Sequence, residues 1–130
     1  KLYLTEKTSC KYYVDYDFKK LFSYAFNNGK WNAKTLSINY SSMKLHHFIP
    51  FFFTLYIISI PIIYFHSFIN SGTNFSNFYL FPLFMYMAIA MIESFRFFNK
   101  FRLIGALMLP YAFFRFHFSY GLGTLKGLFS

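Results

Sequence analysis

The sequence predicts a mainly α, integral membrane chain in which two to three transmembrane or re-entrant helices follow a short amphipathic helix on the cytoplasmic side. Three observations predict it. The chain is 56% hydrophobic and only 13% charged, where a soluble domain is about one quarter charged. Residues 48–69 hold no Asp, Glu, Lys or Arg. The basic residues collect ahead of this run and between the later apolar ones, which is where lipid headgroups meet a membrane chain.

The formal charge of +9 would admit nucleic acid as a partner, but its placement excludes that class. Lys1, Lys7, Lys11, Lys19, Lys20, Lys30, Lys34 and Lys44 precede the first apolar run, and the remaining cations sit beside or within apolar stretches. Membrane lipids are the expected partner. Cys10 is the single cysteine, so neither an intrachain disulfide nor a thiolate metal cluster can form. The first residues lack the apolar core and small-residue cleavage site of a signal peptide, and the start at Lys1 is expected to be internal.

Residues 1–47 are expected to form the end of a preceding cytoplasmic domain and an amphipathic juxtamembrane segment. Leu2, Leu4, Tyr12 and Val14 suggest a strand-like beginning. Leu21, Phe22, Ala25 and Phe26 then fall on one stripe of a helix from Phe18 to about Phe26. Asp17 is placed to cap that helix, and Asn27, Asn28 and Gly29 read as its stop. Residues 48–130 are expected to be the membrane domain. Its first span, 48–69, has about the 20 apolar residues that cross a hydrocarbon core roughly 30 Å thick. Pro50 suits its first turn and Pro61 should kink it.

The linker 70–77 is uncharged and turn-rich, and a second span is expected over about 78–95. Arg96, Lys100 and Arg102 follow in what reads as a short basic connection. Basic loops are retained on the cytoplasmic side, which puts residues 96–102 and the N-terminal region inside and the linker outside. The last segment, 103–129, is either a third span or a re-entrant, interfacial helix, because its charge-free run ends at Arg115. The expected location is the cell's inner (plasma) membrane, multi-pass, with the N-terminal side cytoplasmic.

Three stretches, FKKLFSYAFNNGKWN (18–32), LHHFIPFFF (45–53) and HFSYGLGTLKGL (117–128), occur in an order that resembles the C-terminal membrane region of family 2 glycosyltransferases of the exopolysaccharide, succinoglycan-type group. The last stretch is the most specific, with His, Tyr and three Gly at fixed offsets; the NGKW element is less so, and apolar spans alone are weakly diagnostic. Where family members often carry a basic residue just ahead of the short helix, this chain has Asp15 and Asp17.

The resemblance implies an α/β GT-A catalytic domain upstream that is absent from this chain. It also implies a divalent cation, Mg or Mn, on that missing domain, a nucleotide-sugar donor bound there, and a lipid-linked or polysaccharide acceptor. The chain itself then supplies no catalytic residue, no metal site and no cofactor. Its role would be membrane anchoring within an enzyme of cell-envelope biosynthesis.

Particular residues carry competing readings. Asp15-Tyr16-Asp17 spells the DxD that holds a cation in GT-A enzymes, but it stands directly before a helix, where capping is the default. Lys30 and Trp31 either contact a sugar, base or phosphate or anchor the interface. His46 and His47 lack further metal ligands and read as an interfacial pair. Glu93 and Arg96, one turn apart, read as an ion pair. Arg115 and His117 are ionisable groups in an apolar segment, which ordinarily face protein, water or a polar ligand, and an acceptor's lipid phosphate is such a ligand. About 200° separates them around a helix, so they cannot share a narrow face. Gly123 and Gly127 form a GxxxG spacing suited to close helix packing.

Two functional classes follow from these readings. The first is the C-terminal membrane part of a glycosyltransferase. The second is a small non-enzymatic membrane protein, a transporter subunit or assembly factor, with Arg115, His117 and Glu93 along a polar path and Pro61 and Pro110 as hinges.

Overall fold

The computed structural model describes residues 17–40, 44–69, 78–96 and 98–130. Every regular element among them is helical: α1 (Phe18–Ile38), a tight turn Leu45–Phe48, α2 (Ile49–Ile69), α3 (Phe81–Arg96) and α4 (Phe98–Leu128). The expected strand-like beginning lies outside the described residues.

Helix α1 starts where capping chemistry predicts. The Asp17 carboxylate accepts from the Lys19 backbone N–H at 2.9 Å, satisfying a donor that the first turn leaves orphaned. At its other end the Asn39 N–H reaches the Thr35 carbonyl at 2.9 Å. The helix does not stop at residues 27–29, and this corrects the sequence reading. Asn27, Asn28 and Gly29 are helical, and α1 runs twelve residues past Phe26. A glycine is tolerated there because neighbouring backbone occupies the volume that a side chain would need.

Helix α2 and its preceding turn form a segment, Leu45–Ile69, long and apolar enough to cross a membrane, with a mean hydropathy of 2.1 over its best window. Only 6% of that window is buried. Pro61 is accommodated inside the helix. Near it, Ser59 Oγ donates to the Tyr56 carbonyl at 2.6 Å and meets Tyr79 Oη at 2.7 Å, while Tyr56 Oη donates to the Tyr79 carbonyl at 2.6 Å. These bonds tie the beginning of the next helical segment to the middle of α2.

Helix α3 has 16 residues, roughly 24 Å of rise, shorter than the expected span over 78–95. The basic connection is corrected more sharply. Residue 97 alone separates α3 from α4, so Lys100 and Arg102 belong to the first turns of α4 rather than to a loop. Lysine and arginine are good helix formers, and nothing in residues 98–102 breaks the helix. Helix α4 therefore begins five residues before the expected 103 and continues for 31 residues, roughly 46 Å.

Apart from Tyr120, the described residues bury small side chains, and most large apolar ones are exposed. The buried residues are Ala25, Gly29, Ala33, Thr54, Ala90, Ser94, Pro110, Tyr120, Gly121, Gly123, Thr124 and Gly127, whereas Phe52, Ile62, Phe65, Phe68, Phe84 and many other large apolar residues are exposed. A water-soluble core is the reverse of this. Helix α4 is the hub: α1, α2 and α3 all pack on it, α1 most extensively. That contact joins the two segments expected to divide at residue 47.

Candidate functional site

The C-terminal half of α4 has two differently built sides. On one, α1 runs parallel to α4, with residues 18–22 beside 108–115 and residues 33–40 beside 127–130. Ala25, Gly29 and Ala33 recur at every fourth position, which aligns them on one face of α1. On α4, Gly123 and Gly127 meet that face. A Cβ on Gly123 would land on the Phe26 carbonyl oxygen, one on Gly127 on the Lys30 carbonyl oxygen, and one on Gly29 on the Tyr120 carbonyl oxygen. Backbone thus faces backbone along the seam, the close approach that small residues permit. Asn32 Nδ2 donates to Tyr120 Oη at 2.6 Å across it.

Cations border this side. The Arg115 guanidinium carbon sits 4.9 Å from the Phe22 ring centroid, and Lys126 Nζ sits 5.9 Å from that of Phe26. Lys30 and Lys34 place their Nζ atoms 5.7 and 5.4 Å from the Trp31 ring, itself 60% exposed. Cations over aromatic faces at such distances are favourable, by about 0.5–1 kcal/mol where exposed.

The other side meets α2 and α3. A Cβ on Gly121 would strike Thr54 Oγ1 and the Pro50 carbonyl oxygen, and Thr54 Oγ1 donates to the Phe118 carbonyl at 3.3 Å. Phe53 packs its ring 4.7 Å from Tyr86, 5.7 Å from Phe114 and 6.2 Å from His117. His117 Nδ1 lies 2.9 Å from both Tyr86 Oη and the Phe113 carbonyl oxygen. Beside this pair, Tyr86, Ile89, Ala90, Glu93, Phe113 and His117 line an open cavity of about 320 Å³.

Arg115 and His117 are therefore not brought together: one faces α1 and the other faces α2 and α3. Lys30 and Trp31 lie on α1, away from the cavity. The His46 and His47 rings are 4.3 Å apart. Arg96 Nη1 and Glu93 Oε1 pair at 2.8 Å. Asp17 caps α1, and Asp15 lies outside the described residues. Among the described residues no three His, Cys, Asp or Glu side chains converge on a metal-sized site.

Sequence reasoning overlooked Tyr86 and Thr54, and had Asn32 and Gly121 only as members of the stretches 18–32 and 117–128. The four-residue recurrence Ala25, Gly29, Ala33 was the available signal for the seam, masked by reading Asn27–Gly29 as a turn. Nothing in the sequence pairs Tyr86 with His117. No family model, curated protein or solved structure matches the chain.

Proposed function

We propose that this chain is the membrane-embedded C-terminal part of a family 2 glycosyltransferase, whose intact form transfers a sugar from a nucleotide-sugar to a lipid-linked or polysaccharide acceptor at the cytoplasmic face of the plasma membrane. The observation that carries the reading is the meeting of the three stretches bearing the family resemblance. Residues 18–32 pack on residues 117–128 through Gly29 and Gly123, and residues 45–53 reach the same segment through Pro50 beside Gly121. Stretches far apart in sequence thus form one packed unit.

The membrane placement draws support from α2, whose apolar surface is left uncovered by the protein, and from the burial of small residues with large apolar ones outside. Helix α2 crosses outward. The chain returns through α3, just ahead of which Tyr79 is bonded to the middle of α2, and whose Tyr86 reaches Phe53 near the beginning of α2. The N-terminal region and residues 96–102 then share the cytoplasmic side. Arg115 is the residue for an acceptor phosphate, because its planar guanidinium stays charged and can make paired hydrogen bonds. Lys30 and Trp31 meet headgroups.

Two measurements test the proposal. Single-cysteine reporters in a Cys10→Ser background should react from outside at residues 70–77, and at Asn99 only after permeabilisation; the opposite pattern refutes the topology. The gene upstream of Lys1 should encode a nucleotide-binding α/β domain in the same reading frame. A start codon immediately upstream would instead favour the non-enzymatic transporter or assembly reading.

A further inference from the structure

The cavity between α3 and α4 has a hydrogen-bonding atom in its wall that the fold does not use. His117 Nδ1 is 2.9 Å from the Phe113 carbonyl oxygen. A carbonyl oxygen can only accept, so the tautomer that bonds it carries its proton on Nδ1, directed at that oxygen and at Tyr86 Oη, also 2.9 Å away. That tautomer holds its lone pair on Nε2. Nε2 bonds to no described residue. Because no buried side-chain nitrogen or oxygen among the described residues lacks a partner, Nε2 must open to free space, and the cavity is the space that His117 lines.

Two other polar groups line the cavity. Glu93 pairs through Oε1 with Arg96 at 2.8 Å at the exposed edge, and Tyr86 Oη accepts from His117. The rest of the wall, from Ile89, Ala90 and Phe113, is apolar, with the His117 acceptor lone pair set in it. Cavities of roughly 300–1,000 Å³ with apolar walls and few polar groups are those that hold small ligands.

We propose that this cavity binds the hydroxyl end of a long-chain alcohol, the O–H donating to His117 Nε2 while the chain lies against Ile89, Ala90 and Phe113. A lone pair repels the oxygens of phosphate or carboxylate, so this site selects a neutral hydroxyl. It divides the roles that the sequence reading left joined: hydroxyl at His117 and phosphate at Arg115. The inference rests on the proposed membrane placement and not on sugar transfer.

The test uses the full chain, labelled with nitrogen-15 at histidine, in phosphatidylcholine nanodiscs, whose lipids carry no hydroxyl donor. The His117 resonances are those lost in His117→Phe. Should that variant misfold, Tyr86→Phe assigns them by moving them while keeping the ring. The expected spectrum shows Nδ1 protonated and Nε2 bare. Added dodecanol should shift Nε2 saturably and bind roughly three- to tenfold more tightly than dodecyl methyl ether, which keeps the chain but has no proton to donate. Ile89→Trp, which fills the rim, should abolish the shift. Equal binding of alcohol and ether, a proton on Nε2, or a shift unaffected by Ile89→Trp overturns the site. Carbonate extraction of the chain from membranes reads the placement separately, and the same titration in micelles reads the cavity if that placement fails.

Discussion

Replacing Gly123 by alanine sets two effects of opposite sign against each other, and the structure decides between them. Alanine stabilises a helix interior by about 0.5–1 kcal/mol relative to glycine, so an isolated α4 would gain. In the assembled chain the new methyl group would overlap the Phe26 carbonyl oxygen and lie 2.7 Å from its carbon and 3.0 Å from Phe26 Cα. These are backbone atoms of a packed helix, which no rotamer change can remove. Helix α1 must move off α4, and overpacking of this kind costs about 1–3 kcal/mol. The net expectation is a loss of about 1–2 kcal/mol, close to a tenfold change in the folded fraction. Denaturation by increasing SDS mole fraction, followed by emission of Trp31, the only tryptophan, reads departure of α1. Ser23→Ala on the exposed side of α1 is the control. A Gly123→Ala chain as stable as wild type, or more so, would show that helix propensity governs the site and that the backbone seam is not tight.

Three further substitutions probe separate contacts. Asp17→Ala removes the cap of α1 and should cost about 0.5–2 kcal/mol, read as fraying by hydrogen exchange at residues 18–21; unchanged protection would dismiss the cap. Tyr120→Phe deletes the 2.6 Å bond from Asn32 and should cost about 0.5–1.5 kcal/mol in the same SDS titration, and an effect additive with Gly123→Ala would argue against a shared seam. Under the proposed function, Arg115→Gln in the intact protein should weaken use of the lipid acceptor and leave nucleotide-sugar affinity unchanged, as read by acceptor kinetics beside donor titration; unchanged acceptor kinetics would remove Arg115 from the site.

The limits of α2 were legible because a charge-free run and an early proline depend only on local composition, and 48–69 became Ile49–Ile69. The length of α1 was not legible. Asn-Asn-Gly is a stop signal for a helix in water, and what overrides it is the α4 backbone, 91 or more residues away in sequence, filling the space beside Gly29. The same holds for Lys100 and Arg102, whose charge suggested a loop while their helix propensity continued α4. Helical spacing alone placed Arg115 and His117 on different faces. Their neighbours, Phe22 and Tyr86, are tertiary facts: spacing gives an angle around one helix and says nothing of which helix lies there.

Parallel packing of α1 on α4 also bears on depth in the membrane. Helix α1 carries Lys19, Lys20, Lys30 and Lys34 along the whole length it shares with residues 108–128 of α4, and a lysine at the bilayer centre costs about 2.5–3.5 kcal/mol. Moving α4 into the hydrocarbon would drag these lysines along, since the Gly29, Gly123 and Gly127 contacts leave no gap between the helices. Helix α2 touches α4 near its own beginning, at Pro50, Phe53 and Thr54, and its exposed later part, with Ile62, Phe65 and Phe68, is free to run outward through lipid. Under the proposed placement α4 therefore lies along the cytoplasmic interface with α1, and 103–129 is interfacial rather than a third span. Trp31 then sits at headgroup depth, a usual station for tryptophan. In nanodiscs its emission should be quenched by aqueous acrylamide and by bromine placed near the headgroup, and only weakly by bromine near the acyl-chain ends. Strongest quenching from the deepest bromines, with acrylamide ineffective, would put α1 and α4 inside the hydrocarbon and overturn the interfacial placement.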